Sequence, residues 1–143
     1  MPDDESHSST APLDFDILDR LGHRLEGSAR FSDVVFRPAY APDSVVVEYD
    51  LGYFPAGVDR AYMRIRWYAN DDFSVHYSEQ YENGSHWECR WDRHPNSHDS
   101  RNHFHPPPAA ETPGTDQEYP RDWREMLAFV LRELDARIEA FWE

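Results

Sequence analysis

The sequence predicts an α+β domain, in which an antiparallel sheet of about five strands carries an N-terminal and a C-terminal helix on one face. Three observations support this class. Apolar residues recur at helical spacing near both ends of the 143-residue chain, and they alternate with polar residues between about positions 30 and 94. The alternating runs are separated by short stretches rich in Pro, Gly, Asn and Asp, and such short connections join antiparallel neighbours.

The N-terminal end divides into a tail and a helix. Residues 1–12 are polar and lack periodicity, so we expect a disordered tail followed by a single domain over residues 13–143. From Leu13 to about Leu25 the apolar side chains recur at helical spacing, which predicts an amphipathic helix that ends near Gly27.

Five candidate strands follow, and turn residues separate them. They cover residues 30–37, 44–54, 61–69, 73–81 and 86–94. The pair Asn83-Gly84 is a hairpin signal because both residues tolerate a positive φ, and Asn70-Asp71-Asp72 marks another tight turn. Their order and short connections predict an antiparallel meander.

The last part of the chain combines a loop with a helix. Residues 95–119 are rich in proline, histidine and other polar residues and show no periodicity, which predicts a long loop of functional interest. Residues 120–142 carry one apolar stripe and begin with Pro120, which suits a first helical turn. On the polar side of this helix, Glu133 and Arg137 are spaced for an i,i+4 ion pair.

The charge composition is unusual because every basic residue is an arginine. The 14 arginines face 28 acidic residues, and the formal net charge is -14. Such a surface is typical of proteins that work in molar salt, where screening limits repulsion between carboxylates, so we expect a halophilic protein. A negative net charge usually argues against nucleic-acid binding, but in a halophile only a local patch of arginine and histidine is informative.

No part of the sequence predicts a membrane location. The chain shows neither a signal peptide nor an apolar run of about 18 residues. We therefore expect a cytoplasmic protein without a membrane span.

The strand alternation separates an apolar face of the sheet from a polar one. Met63, Ile65 and Trp67 share one side of their strand, and this side is expected to pack on the helices. The other side carries basic and imidazole groups from three strands: Arg64, Arg66, His76, His86, Arg90 and His94. This composition favours a functional cleft, and a solvated surface with cross-strand ion pairs is the open alternative.

A metal site is one interpretation of the histidine-rich stretch between residues 86 and 108. His103 and His105 project to the same side of an extended segment, and His94 or His98 adds a third imidazole. Such a set suits zinc or another divalent metal. Cys89 is the only cysteine, which excludes a Cys-based zinc cluster, and its aromatic neighbours indicate a buried structural thiol.

Metal-free cleavage of a phosphodiester is a second interpretation. This reaction needs a general base, a general acid and a cation near the developing phosphorane charge, and the same stretch supplies histidines and arginines in excess. A third interpretation is a non-catalytic interaction module, in which exposed aromatic side chains such as Phe104 or Trp142 anchor a partner.

The run from Tyr77 to Pro108 resembles the TumE family of toxins from two-gene toxin–antitoxin systems. Members have a strand with an aromatic–Arg–aromatic–Asp pattern, followed by His–Pro and His-x-His elements in a proline-bearing loop. The corresponding residues are Arg90-Trp91-Asp92, His94-Pro95, His98 and His103-Phe104-His105-Pro106.

The resemblance implies a toxin that cleaves RNA and is neutralised by a DNA-binding antitoxin. It implies the following roles: His103 and His105 form the acid/base pair, His94 and His98 support them, Arg90 and Arg101 bind phosphate or form ion pairs, and Asp92 orients a histidine or an arginine.

Overall fold

Two helices cover one face of a seven-stranded antiparallel sheet. The structure is a computed structural model of the chain, and it describes residues 11–38, 43–94, 102–112 and 114–143. Its elements are α1 (Phe15–Glu26), β1 (Phe31–Arg37), β2 (Ser44–Tyr49), β3 (Val58–Trp67), β4 (Phe73–Tyr81), β5 (His86–Arg93), β6 (Asn102–His105), β7 (Thr115–Asp116) and α2 (Trp123–Ala140). The strands lie side by side in sequence order, so the sheet is a meander. Neither described helix is long and apolar enough to cross a membrane.

The strand count differs from the sequence prediction, although the α+β class is confirmed. The described sheet has seven strands rather than about five. The two additional strands, β6 and β7, lie within residues 95–119, for which the sequence predicts a loop. That prediction is wrong because β6 has only four residues and its buried side chains are imidazoles, so no apolar alternation marks it.

Capping residues explain why two element boundaries differ from their predicted positions. β2 ends at Tyr49 because Asp50 caps a short 3-10 helix over Leu51–Tyr53. α2 begins at Trp123, three residues later than predicted, because the carboxylate of Asp122 accepts a hydrogen bond from the backbone of its first turn.

The core lies between the helices and the face of the sheet that the sequence predicts to be apolar. Met63 and Ile65 are completely buried, and Trp67 stacks on Phe73 with their ring centroids 5.1 Å apart. The helices fill the same layer with apolar side chains: Leu18, Leu21, Leu25, Met126, Val130, Leu134 and Ile138. The alternation of the strands therefore assigned the two faces correctly, and polar groups occupy the other one.

A buried ion pair joins α2 to the sheet. The carboxylate of Glu79 in β4 is completely buried and accepts hydrogen bonds from Nε and Nη2 of Arg137 at 3.0 and 2.7 Å. The hydroxyl groups of Tyr77 and Tyr81 donate to the same carboxylate. Arg137 therefore faces the sheet and pairs there, rather than with Glu133 on its own helix.

The segment before α1 is attached to the end of β3. Leu13 forms an antiparallel bridge with Tyr68, and the backbone N–H of Ala69 donates to the carbonyl oxygen of Pro12 at 2.8 Å. Residues 1–10 of the predicted tail lie outside the described residues.

Candidate active site on the polar face of the sheet

The face of the sheet opposite the helices, which we call the polar face, carries two cross-strand rows of reactive side chains. The first row runs from β3 to β6 through Arg64, His76, Arg90 and His105. The second row, two residues along each strand, contains Arg66, Ser74, Asp92 and His103. Directly opposed residues in an antiparallel pair point to the same face, about 5 Å apart. The register alone therefore brings arginine, histidine and aspartate side chains together.

Asp92 is the centre of the candidate site. Its buried Oδ2 atom accepts a hydrogen bond from Nε of Arg90 at 2.9 Å, and it lies 2.9 Å from Nε2 of His105 and 3.8 Å from Nε2 of His94. Burial alone would raise the pKa of Asp92, but the adjacent His105 imidazole and Arg90 guanidinium reverse this effect and hold the pKa below its usual range. The centre of the site is therefore a carboxylate anion at neutral pH.

The loop after β6 holds His105 in place. Nδ1 of His105 is 2.9 Å from the backbone carbonyl oxygen of Glu111. Gly114 packs against the ring: a Cβ atom there would lie 3.1 Å from two ring atoms of His105 and 2.7 Å from the carbonyl oxygen of Phe104. Each ring nitrogen of His105 thus faces an oxygen atom, from Glu111 on one side and from Asp92 on the other.

Two buried atoms at this centre, Oδ1 of Asp92 and Nε2 of His105, have no hydrogen-bond partner among the described residues. Nε2 of His105 is close enough to Oδ2 of Asp92 for an ion pair, but the two groups are not aligned for a hydrogen bond. Buried polar atoms are nearly always paired, so both atoms are places where a water molecule or a ligand atom would bind; the buried hydroxyl of Tyr49 in the core shares this property.

His94 and His103 extend the cluster beyond His105. The ring centroids of His94 and His103 are 5.6 Å apart, and those of His103 and His105 are 6.4 Å apart. Burial, followed by the neighbouring His94 imidazole, lowers the pKa of His103 below its ordinary value of 6.5. His103 is therefore neutral near pH 7, the state in which imidazole accepts a proton.

Five of the residues that the sequence predicts for the site meet in this cluster. They are Arg90, Asp92, His94, His103 and His105. The other two, His98 and Arg101, lie outside the described residues. The expected orienting role of Asp92 has a geometric basis, since its carboxylate contacts both an arginine and a histidine.

His76 and Glu88 form a second imidazole–carboxylate pair, which the sequence does not predict as part of the site. Nε2 of His76 is 2.6 Å from Oε1 of Glu88, and the two side chains are 24% and 31% exposed. Burial lowers the pKa of His76, although the hydrogen bond with Glu88 acts in the opposite direction. Strand alternation placed both residues on the polar face, but only the register of β4 against β5 joins them.

The aromatic residue between the two histidines of β6 faces the core. Phe104 packs against Trp91, with ring centroids 5.5 Å apart. The expectation that Phe104 is an exposed anchor for a partner is therefore wrong, because its strand position turns it away from His103 and His105. Trp142 is 61% exposed, as that hypothesis requires.

Cys89 is structural, as its sequence context indicates. It is buried in the core, and burial raises the pKa of its thiol to about 12. The thiol therefore stays protonated at neutral pH and is a poor nucleophile.

One comparison with known proteins found a match, and it spans almost the whole fold. A family model described as Toxin TumE matches residues 15–138. The match runs from the start of α1 almost to the end of α2, and it includes every strand and the whole cluster around Asp92. The chain belongs to the TumE toxin family. The resemblance over Tyr77 to Pro108 is thus confirmed and extends across the fold, whereas no curated protein and no solved structure matches the chain.

In this TumE-family chain, the metal interpretation finds no support within the described ranges. No group of three or more His, Cys, Asp or Glu side chains there is arranged to hold a metal ion. The carboxylate at the centre, Asp92, is already bound by the Arg90 guanidinium, whose positive charge opposes a second cation. His98, a fourth candidate ligand, lies outside those ranges.

A cavity on the helix side of the TumE-family fold is separate from this site. Its volume is about 260 Å³, and it lies between the end of α1 and α2. Its lining includes Leu25, Phe31 and Leu127 together with Arg24 and Arg124. Because the sheet separates it from the polar face, it does not contribute to the cluster around Asp92.

Proposed function

We propose that this TumE-family toxin is a metal-independent endoribonuclease and that its active site is the cluster centred on Asp92. The observation that carries the proposal is the convergence of three imidazoles and one guanidinium on the polar face around a single buried carboxylate. Cleavage of a phosphodiester needs two groups that transfer protons and a cation that stabilises the developing negative charge. His103, His105 and Arg90 have these properties.

His103 acts as the general base. As a neutral imidazole it removes the proton of a ribose 2′-hydroxyl, and the oxygen attacks the adjacent phosphorus. His105 acts as the general acid and gives a proton to the 5′-oxygen as the bond between phosphorus and that oxygen breaks. The products are a 2′,3′-cyclic phosphate and a 5′-hydroxyl end. A separation of 6.4 Å between the two ring centroids lets one phosphate lie within hydrogen-bond reach of both.

Arg90 supplies the positive charge for this reaction, and Asp92 positions it. Nε of Arg90 is fixed by Asp92, while the two terminal nitrogen atoms make no hydrogen bond with the described residues. A guanidinium held at one end presents its remaining donors to a phosphate as a rigid fork. His94 supports His103, and the same supporting and phosphate-binding roles are proposed for His98 and Arg101.

An antitoxin partner is part of the proposal. A toxin of this family is expected to be neutralised by a partner protein, and we propose a DNA-binding antitoxin and a cytoplasmic RNA substrate. A neighbouring gene for a small DNA-binding protein, co-purified with this chain, would support the pairing.

A non-catalytic interaction module is the second candidate function, and the burial of the cluster favours it. The side chains of Asp92, His94, His103 and His105 are 0%, 4%, 8% and 6% exposed. A buried polar network of this kind can fix the pairing of β5 with β6 without taking part in chemistry. The two candidates differ in what neutral replacements of the histidines do to activity and to stability.

The deciding experiment compares wild-type protein with His103→Gln and His105→Asn. Both histidines lie in a strand rather than in the predicted loop, so alanine would leave cavities, whereas an amide keeps a polar group near a ring nitrogen. Each protein is incubated with RNA in the presence of EDTA, and the ends of the products are identified. We expect 2′,3′-cyclic phosphate ends from wild type and cleavage about 10²- to 10⁴-fold slower by each variant.

His86→Asn is the matched control, because His86 is exposed at the start of β5 on the same face. It should cleave RNA and arrest the growth of an expression host as wild type does. The midpoint of urea unfolding should be similar for all four proteins. Intact RNA after incubation with folded wild type, or cleavage that EDTA abolishes, would contradict the proposal. Growth arrest by every variant without RNA cleavage would favour the interaction module.

A further inference from the structure

Three arginines are spaced along the polar face of β3, but only the first of them is neutralised. Nε of Arg60 donates to both carboxylate oxygens of Glu48, at 3.0 and 3.1 Å. Arg64 and Arg66 form no hydrogen bond or ion pair with the described residues. Arg64 is exposed and Arg66 is partly exposed, so both guanidinium groups are accessible.

The strand neighbours of these two arginines cannot neutralise them. Arg64 lies between Val46 of β2 and His76 of β4, and Arg66 lies opposite Ser74 of β4. None of these side chains carries a negative charge.

The carboxylates on the polar face of β2 and β5 already have partners. Glu48 binds Arg60, and Glu88 binds His76. Asp92 lies in the row of Arg66, but it is engaged by Arg90 and His105. The positive charge of Arg64 and Arg66 is thus left uncompensated by the groups beside them.

This is unusual in a chain with 28 acidic and 14 basic residues. Exposed carboxylates are plentiful on the helix side of the molecule, where they include Asp16, Asp19, Glu125, Glu133 and Glu139. The helices also expose arginines, such as Arg20 and Arg132, but Arg64 and Arg66 share their face with no unpaired carboxylate on the neighbouring strands β2 and β4. A local positive surface on an acidic protein favours an anionic ligand.

The two arginines lie in line with the cluster around Asp92. Arg64 shares a row with Arg90 and His105. Since neighbouring strands are about 4.8 Å apart, the backbone of Arg64 lies roughly 10 Å from that of Arg90 and one strand further from His105. Arg66 occupies the same position in the row of Asp92 and His103. The β3 side of the polar face thus leads into the candidate active site.

We propose that Arg64 and Arg66 bind phosphates of single-stranded RNA on one side of the cleaved bond. The inference rests on the proposed function, because it assigns the path by which the substrate reaches the cluster. Arginine binds phosphate through forked hydrogen bonds, and exposed sheet faces are used by several protein modules to bind single strands. Each occupied arginine releases a counterion from the RNA, so binding depends on salt.

The test measures RNA binding separately from cleavage. A fluorescein-labelled 2′-O-methyl oligonucleotide of about ten nucleotides lacks the attacking hydroxyl, and its length suits a single-strand binding surface. Its affinity is measured by fluorescence anisotropy over a range of KCl concentrations for wild type and for Arg64→Ala/Arg66→Ala. We expect the slope of log K against log salt to decrease in magnitude by about 1.4, because each phosphate contact of a single strand contributes about 0.7.

Arg20→Ala/Arg132→Ala is the matched control, because it removes the same charge from exposed positions on the two helices. It should bind the oligonucleotide with the slope of wild type. Both double variants should unfold in urea at the wild-type midpoint. An equal slope for wild type and Arg64→Ala/Arg66→Ala would overturn the inference. It would also be overturned if the double variant kept its RNA binding but lost affinity for an acidic protein partner.

A cleavable pair of substrates separates this inference from the proposed function. In Arg64→Ala/Arg66→Ala, kcat/KM should fall more for a decanucleotide than for a dinucleoside monophosphate, which has no flanking phosphate. If wild type binds the uncleavable RNA through these arginines but cleaves neither substrate, the endoribonuclease proposal fails and the phosphate-binding surface stands. If both substrates are cleaved and kcat/KM of the variant falls equally for the two, or falls for neither, the phosphate-binding surface is wrong and the endoribonuclease proposal stands.

Discussion

At the scale of single residues, the histidines around Asp92 differ in what surrounds them. His103 has its pKa lowered by burial and by the His94 imidazole, so it is neutral at pH 7. His105 is held between the carboxylate of Asp92 and the carbonyl oxygen of Glu111. This difference in surroundings underlies the two different roles proposed for His103 and His105.

The pH dependence of cleavage should report the state of His103. Because the pKa of His103 is lowered below 6.5, more than half of the base is deprotonated at pH 6.5, and the midpoint of the acid limb of the rate profile should lie below that value. Single-turnover cleavage of an RNA substrate between about pH 5 and pH 8 measures this limb. The limb should be lost in His103→Gln and kept in His86→Asn. A limb centred above pH 6.5 in wild type would assign the base to another group.

The lowered pKa of His103 should also make the free energy of unfolding depend on pH. A histidine whose pKa is lower in the folded chain binds protons more readily in the unfolded chain, so its contribution to the free energy of unfolding is present above pH 6.5 and lost as the pH falls below it. His76 acts in the same direction as His103. Urea unfolding near neutrality and near pH 5.5 should therefore show a smaller loss of stability in His103→Gln than in wild type.

At the scale of elements, β6 decides whether there is a site at all. It pairs with β5 so that His105 lies opposite Arg90 and His103 lies opposite Asp92. The two histidines reach the polar face only because β6 is extended, and a shift of one residue would turn both rings to the core. The loop after β6 fixes this register through the contacts of Gly114 and Glu111 with His105.

The other decisive contact between elements is the ion pair of α2 with β4. Replacing Arg137 with alanine leaves the Glu79 carboxylate buried without its counter-charge. We expect this to lower the free energy of unfolding by about 3 kcal/mol, which is in the lower part of the range for buried pairs. Urea denaturation measures this value. Arg132→Ala, an exposed change on the same helix, should stay within about 0.5 kcal/mol of wild type. Adding Glu79→Gln to Arg137→Ala should recover part of the loss, and no recovery would mean that packing of the Arg137 stem dominates.

At the scale of the whole molecule, charge is unevenly distributed. The helices expose many carboxylates, and on the described polar face Glu48, Glu88 and Asp92 are paired whereas Arg64 and Arg66 are not. With a formal net charge of -14, repulsion within the acidic layer opposes folding in dilute buffer. Salt screens this repulsion, but it would also weaken the RNA binding proposed for the polar face. A higher salt concentration would therefore favour folding and disfavour the proposed RNA binding.

The stability of the whole chain should increase with salt. The Debye length falls from about 10 Å at 0.1 M to about 3 Å at 1 M salt, so repulsion between surface carboxylates is largely removed over this range. We expect the thermal unfolding midpoint, followed by circular dichroism in KCl, to rise by at least about 4 °C, which corresponds to roughly 1 kcal/mol. Glu133→Gln/Glu139→Gln should show a smaller rise, since it removes two exposed charges of α2. An unchanged midpoint would count against a halophilic adaptation.

Local patterns in the sequence were enough to predict the α+β class, the two faces of the sheet and the residue types of the candidate site. These features follow from local patterns, since a period of two places Met63 and Ile65 on one face and Arg64 on the other. The spacing of His103 and His105 likewise fixed that both rings share one side of an extended segment. Each of these inferences needs only the geometry of a single strand or helix.

Which of these groups meet depends on the packing of the folded chain. The contact between His105 and Asp92 depends on the register of β6 against β5, and β6 is too short and too rich in imidazole to be recognised by its hydropathy. The pairing of Arg137 with Glu79, 58 residues apart, depends on how α2 packs on the sheet. Strand register and helix packing are set by the summed burial of many side chains, so no local pattern specifies them.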